Sequence, residues 1–460
     1  MTPAAGELAI VLHTHQPYVE GFGTWPFGEE WLWESIATSY LPVLDLLDAG
    51  APLTLSLTPV LCDQLEAPGA LERCAQFLGA IRVQSHARDI ATAAGKTGVV
   101  VALEHSAALY ERARAQLGRL GGNLLGALAR HAAWTSSATH AVLPLLATDA
   151  GVRLQLRAGI AGHRRRFAAR PWRGGLWLPE CAYAPGLDPL LEEAGVRAVC
   201  VDLTDVLGPD QHLRPLRSAA GSLLVPIDRA TIELVWSKGG YPADPAYRSY
   251  YAFTQHRHRA WSNDGEPYDP ARARATARRH AADFVARTRE RVADGGLAVF
   301  AVDTELIGDW WHEGPTWLAA VLDEAAAQGL AVAHLDDALE RHPPVAAPAA
   351  LPVTSWGTPR DLTTWSAPPV ASMAWEARDA ELRTLAAGPD VGERAVRELL
   401  ALQSSDWAFL VSQDLAAPYG RERAAAHRAG LDAALAAPGE ADPAVRNLAP
   451  HASPQALWEP

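Results

Sequence analysis

The 460-residue sequence is poor in cysteine, methionine and, above all, lysine. Its four cysteines, Cys62, Cys74, Cys181 and Cys200, are scattered and form no CxxC pair. That spacing excludes a disulfide scaffold and a zinc knuckle, and leaves small buried thiols in a reducing compartment as the expectation. Lys96 and Lys238 are the only lysines among 40 basic residues, which face 53 acidic ones for a net charge of −13. So acidic a chain repels phosphate backbones and anionic lipid heads, so the expectation is no nucleic-acid partner and no membrane partner. No run of about 18 apolar residues is present. Met1 to Leu8 has neither a basic n-region nor a long apolar h-region. No signal peptide is read there, and the expected location is cytoplasmic. A GxSxG elbow, a Walker loop, a GxGxxG after a strand and an HExxH are all missing. Their absence removes the corresponding serine-hydrolase, nucleotide-binding and zincin readings.

Tryptophan, by contrast, is abundant: 16 residues against 10 Tyr and 8 Phe. Its broad ring offers a flat platform for a sugar face and an N–H handle. A Trp-rich core is the competing reading, and composition does not separate the two.

Short apolar runs recur between helical patterns. They are Leu8–Leu12, Leu53–Leu57, Gly175–Leu178, Val196–Val201, Leu223–Ile227, Leu297–Val302 and Leu330–Ala333. Most lack polar alternation, as strands buried on both faces do. Helical stretches such as Trp31–Leu47, Pro270–Asp294 and Thr316–Gln328 complete β-α units. About seven such units suit a barrel better than an open sheet. The segment 67–131 reads as a helical insertion without a good strand. After a Pro/Ala linker beyond His342, the stretches Ala374–Ala387, Val391–Gln403 and Gly420–Ala437 read as a C-terminal helical domain, 356–437. Residues 438–460 form a Pro-rich tail with the composition of a partly disordered segment. The barrel is thus expected over 1–66 and 132–345.

In a β/α barrel the reactive groups follow the strands. The first run ends in His13-Thr14-His15-Gln16-Pro17. Histidines two apart on a strand point the same way, and could ligate a metal or bind a substrate. Glu180 follows the run ending Trp177-Leu178-Pro179, and Asp303 ends the run before Glu305, Trp310, Trp311 and His312. Two carboxylates flanked by Trp at one mouth are what glycoside chemistry needs: one attacks the anomeric carbon, and the other, held protonated, serves the leaving oxygen. A salt-bridge pair with nearby arginines is the structural alternative.

At these residues the sequence resembles glycoside hydrolase family 57 and, within it, the 1,4-α-glucan branching enzymes. The resemblance runs in order from about residue 8 to about residue 415. It is carried by His15-Gln16-Pro17, Thr135–His140, Trp177–Tyr183, Asp303–Gly308 running into Trp310–Pro315, Ser355-Trp356-Gly357 and Leu402–Trp407. It implies a (β/α)7 barrel with a helical insertion and a C-terminal α-helical domain. It further implies a retaining mechanism without metal or cofactor, with Glu180 as nucleophile and Asp303 as general acid/base. Retention asks for carboxyl groups roughly 5 to 5.5 Å apart. His13, His15 and His140 become sugar-hydroxyl binders and orienters of Glu180. Gln16, Trp177, Trp261, Trp310, Trp311, Trp356, Asp406 and Trp407 join the expected glucan-binding residues, and Tyr241 is placed in a water-excluding loop. The implied activity is transfer that makes α-1,6 branches in a glycogen-like glucan. The same residues would serve an α-amylase or 4-α-glucanotransferase of the family. A non-catalytic glucan-binding homologue and a metal-dependent polysaccharide deacetylase are further alternatives, disfavoured by the two carboxylates and by the lack of an HxxxH. The expected partner is an α-glucan such as amylose, bound by a monomer or small homo-oligomer. Two positions depart from the family pattern, Ile307 and Asp309, where Phe and His are usual.

Overall fold

The computed structural model of the chain describes residues 6–208, 211–437 and 447–459. Its centre is a curled sheet of ten strands. These are β1 (Glu7–Thr14), β2 (Leu53–Leu57), β3 (Ala132–Ser136), β4 (Gly175–Trp177), β5 (Ala198–Val201), β6 (Leu216–Arg217), β7 (Leu223–Pro226), β8 (Leu297–Asp303), β9 (Ala331–Ala333) and β10 (Val345–Ala346). The order is β10-β6-β7-β5-β4-β3-β2-β1-β8, with β9 paired to β1. Seven strands, β1, β2, β3, β4, β5, β7 and β8, run parallel around the curl. This is the expected (β/α)7 barrel. Every residue of β1 and β2 is buried, so their unbroken apolar character reflects cover on both faces.

The seven barrel strands are not quite those read from apolar runs. Leu330–Ala333 contributes β9, which pairs only with the first half of β1, at Glu7 to Ala9. The missing barrel strand is β3, Ala-Ala-Trp-Thr-Ser, whose small and hydroxyl side chains gave no apolar run. Between β7 and β8 the described residues show no ladder. Antiparallel β6 occupies an edge of β7, and Asp228 N–H donates to Val299 O at 2.8 Å across the gap.

Between β2 and β3 the chain is helical, including the long helix Thr97–Arg119. Beyond β10, helices Ala371–Ala387, Glu393–Leu402, Ser405–Ser412 and Tyr419–Ala436 pack around a second core of Leu399, Leu400, Trp407 and Leu431, which Tyr18, Val60 and Leu154 of the barrel part join. The described part of the Pro-rich tail is packed. Leu448 and Leu457 are buried in that core. Asn447 and the Ala449 N–H hydrogen-bond Asp63 in the helix after β2. Residues 438–446 lie outside the described residues. No described helix is long and apolar enough to cross a membrane. The four cysteines are free and buried.

Candidate active site

Sheet register assembles the site at the carboxyl ends of the strands. His13 of β1 pairs with Asp303 of β8 on one side and with Ser56 of β2 on the other. Ser136 of β3 pairs with Trp177 of β4. Glu180 follows β4 after Leu178 and Pro179, in a tight turn where it takes φ 61° and Cys181 φ 50°. Left-handed backbone at a non-glycine residue costs roughly 1–3 kcal/mol and persists only where the surroundings hold it. Here they do. Trp356 N–H donates to Glu180 O (2.9 Å) and its indole N–H to Glu180 Oε2 (3.0 Å), while Ser405 Oγ–H donates to Oε1 (3.1 Å). His140, also left-handed at φ 59°, brings Nδ1 to 3.7 Å from the same Oε1.

Three imidazoles form a stack over Trp177. His13 lies 4.5 Å from the Trp177 ring, and His140 lies 5.0 Å from His13 and 3.9 Å from His15. All their ring nitrogens are engaged by the protein. His13 meets Ser56 and His140, His140 meets Ser405, and His15 meets Thr58 (3.2 Å) and Asp406 (3.0 Å).

Electrostatics separate these groups. Burial holds His13 and His140 well below the ordinary histidine range, and the neighbouring His15 adds to it. Burial also pulls on His15, but Asp406, Glu180 and Asp303 outweigh it and its pKa ends above the ordinary value. Glu180 is pushed up by burial, against the hydrogen bonds of Trp356 and Ser405 and the charge of His15. Asp303 is pushed up to about 7 by burial and by the charge of Glu180. The hydrogen bonds of Trp356 and Ser405 thus favour the charged form of Glu180, while Asp303 keeps its proton to near neutrality.

A further carboxyl, Glu305, sits behind Asp303. Burial and the Asp303 charge hold it well above its usual range. It accepts from Tyr40 O–H and from the His15 backbone N–H. Tyr40 ends a π-helical turn, Ile36–Tyr40, against which the loop after β8 is pressed. Gly308, at φ 132°, has room only for hydrogen there: a Cβ would stand 2.0 Å from Thr38 O.

The C-terminal helices complete the mouth. Ala141 bridges Ser404, Ser405 N–H donates to His140 O, and Thr139 Oγ–H donates to Leu400 O. Gln155 and Gln403 meet at 3.0 Å, with Gln403 reaching on to Glu381. This buried polar seam fixes Ser405 and Asp406 over the barrel.

Comparison with known proteins meets this geometry. A model of glycosyl hydrolase family 57 matches residues 132–351, and a model of the C-terminal part of 1,4-alpha-glucan branching enzymes matches residues 372–448. A protein of Mycobacterium tuberculosis described as a probable 1,4-alpha-glucan branching enzyme is 34% identical over 490 residues, spanning 93% of this chain and 91% of its own. The chain belongs to glycosyl hydrolase family 57. A 1,4-alpha-glucan branching enzyme of Thermococcus kodakarensis is 30% identical, over 92% of this chain and 72% of its own. Among solved structures of the family, the branching enzyme of Pyrococcus horikoshii superposes with a TM-score of 0.84 at 30% identity, covering 92% of this chain and 88% of that one. The Thermococcus kodakaraensis branching enzyme bound to glucose superposes with 0.89 at 27% identity, covering 98% and 96%.

Within this family framework the structure brings together His13, His15, His140, Trp177, Glu180, Asp303, Trp356 and Asp406. Gln16 lies behind them, its amide donating to Ser35 Oγ (2.7 Å). Several tryptophans need correction as sugar platforms. Trp177, Trp311 and Trp407 have no exposed face, at 0%, 2% and 1% accessibility. Trp177 is the floor under His13, Trp311 packs on Tyr247 and Trp317, and Trp407 lies in the C-terminal core with its N–H on Ala401 O. Trp310 is 41% exposed and stacks on Tyr250 at 4.7 Å, and Trp261 is half-buried against the barrel. Tyr241 is turned to the helix Pro270–Arg291, its hydroxyl donating to Asp283 and its ring stacked on His280. It is not joined to the histidine cluster. Ile307 is buried core, while partly buried Asp309 is tied by its backbone, N–H to Ser39 Oγ and C=O to Arg259. Ser56, Thr58 and Tyr40 are not among the site residues expected from sequence; the register and the helix packing place them here.

Proposed function

We propose that this chain is a retaining 1,4-α-glucan branching enzyme working in the cytoplasm on a glycogen-like glucan. The reading rests above all on the contrast between Glu180, hydrogen-bonded on both oxygens, and Asp303, which holds its proton to about pH 7. In the first half-reaction the Glu180 carboxylate attacks C1 of a glucosyl unit, and Asp303 passes its proton to the departing O4. The cut chain is then held as a glycosyl ester. In the second, the Asp303 carboxylate takes the proton from the 6-hydroxyl of an acceptor glucan. That oxygen bonds to C1 and Glu180 leaves as carboxylate. His15 favours the ionised forms of both carboxylates, while the charge of Asp406 opposes it at Glu180.

The barrel of 1–66 and 132–345 carries both acids in this proposal, and the helical domain of 356–437 supplies the lid of the site. The insertion of 67–131 flanks it. Trp356 presents part of its ring at the mouth, and Trp310 an open face beyond it, as surfaces for sugar rings. A net charge of −13 is no obstacle to an uncharged polysaccharide.

The deciding test is linkage analysis of products from amylose. New α-1,6 linkages without a matching rise in reducing ends support the reading. Reducing ends appearing one for one with cleaved bonds would replace it by hydrolysis.

A further inference from the structure

Every contact in the row of serines and histidines at the barrel mouth needs one donor and one acceptor, and a neutral imidazole carries a single N–H. Ser56 Oγ lies 3.3 Å from His13 Nδ1, and His13 Nε2 lies 2.9 Å from His140 Nε2. His140 Nδ1 lies 2.9 Å from Ser405 Oγ, which is 3.1 Å from Glu180 Oε1. Burial keeps both histidines neutral, so the nitrogen–nitrogen contact holds one proton. Two arrangements then satisfy the row. In one, Ser56 donates to His13, His13 to His140, His140 to Ser405, and Ser405 to Glu180. In the other every bond is reversed and Ser405 gives its proton to His140. Its oxygen then faces Glu180 Oε1 with no proton between them, unless the carboxyl carries one.

We infer that Ser56, His13, His140 and Ser405 form one directional hydrogen-bond chain whose direction is set by the charge of Glu180, and that Ser405 is the positioning residue at its end. The inference deepens the proposed function, because it rests on Glu180 as nucleophile. With Glu180 ionised, His140 is the Nδ1–H tautomer and His13 the Nε2–H tautomer. The other groups facing Glu180 fit this polarity. The Trp356 indole N–H occupies Oε2, leaving Oε1 to Ser405, and His15 partly offsets the charge of Asp406. An ester oxygen accepts a hydrogen bond as a carboxylate oxygen does, so the chain keeps one direction through both half-reactions. Its anchors come from distant parts of the sequence, Ser56 on β2 and Ser405 at the start of helix Ser405–Ser412.

The test combines tautomer assignment by ¹⁵N NMR of histidine-labelled full-length protein with pH–rate profiles of Ser405→Ala and Ser405→Thr. His13→Gln and His140→Gln serve to assign the resonances. At pH 7 we expect His140 protonated on Nδ1 and bare on Nε2, with His13 the reverse. Ser405→Ala should lose about 10- to 100-fold in kcat, the worth of a hydrogen bond to a charged group, with KM within about twofold. Its acid limb should move up by about one pH unit, because the ionised carboxylate loses a donor. Ser405→Thr, which keeps the hydroxyl, should restore most of the rate and the limb. The opposite tautomers in active wild-type protein would overturn the inference, as would an unmoved acid limb in Ser405→Ala. If the alanine variant does not fold, the wild-type tautomers decide alone. Failure of the branching reading shows separately, as wild-type cleavage of amylose without α-1,6 products; the acid limb is then read on cleavage.

Discussion

Nε2 of His15 lies 3.0 Å from Oδ1 of Asp406, a residue 391 positions further along the chain. The contact ties the first barrel strand to a C-terminal helix, and it is mostly buried. Asp406 raises the His15 pKa against the pull of burial. A raised histidine pKa stabilises the fold below the unfolded value of about 6.5, and that contribution fades as pH climbs past the folded value. Asp406→Asn should therefore lower the melting temperature more at pH 5 than at pH 8. Melting curves across that range check it; a gap that widens towards alkaline pH would contradict the pairing.

Glu180→Gln and Asp303→Asn should each reduce transfer by roughly three or more orders of magnitude while leaving the fold intact, since the two acids act as a unit. A loss below about tenfold in either refutes the assignment. The stability effect of Asp303→Asn has its own sign. Its folded pKa, about 7, stands above its unfolded value. The wild type therefore loses stability as pH rises from about 4 to about 7, by up to roughly 4 kcal/mol for three pKa units. The asparagine variant escapes that loss, so its melting temperature should exceed the wild type's above pH 7 and match it near pH 4.

The same raised pKa governs rate. In the proposed mechanism donation to the leaving oxygen needs protonated Asp303, so kcat/KM should fall about tenfold per unit above pH 7. Glu180 must be ionised, and burial places its acid limb above the ordinary glutamate range. A profile on amylose that stays flat to pH 9 would remove Asp303 from the acid role.

The tryptophans divide by exposure. Trp407→Ala opens a cavity in the C-terminal core and should cost about 3–5 kcal/mol of stability. Trp310→Ala removes a half-open ring, so it should raise KM for amylose several-fold while shifting the melting temperature little. Thermal unfolding and saturation kinetics on the two variants read both effects.

Much of this was legible in the sequence. Buried parallel strands announce themselves by unbroken apolar runs, which is how β1, β2, β4, β5, β7 and β8 were found. β3 was not, because Ala132, Ala133, Thr135 and Ser136 bury backbone and small side chains without a hydrophobic signature. The two acids follow their strands, so Glu180 and Asp303 could be named. The hydrogen bonds that hold Glu180 could not. The Trp356 and Ser405 bonds to Glu180 span 176 and 225 residues, and no periodicity encodes such a meeting. Trp counts misled in one respect: presence in a motif does not tell a floor under a histidine from a face open to sugar.

The gap between β7 and β8, bridged by Asp228 N–H to Val299 O, makes the barrel wall unequal around its circumference. β1 is held by ladders on both sides, from β2 and β8, so parting it breaks many hydrogen bonds at once. Parting β7 from β8 breaks few. The wall is therefore a stiff arc with one compliant joint, and Asp303 stands at the end of the strand that borders that joint. Amide protons along the joint should exchange with solvent well before those shared by β1 and β2. In the proposed mechanism, the acid of the leaving group thus rides on the edge most free to yield when a bulky glucan chain has to enter or leave.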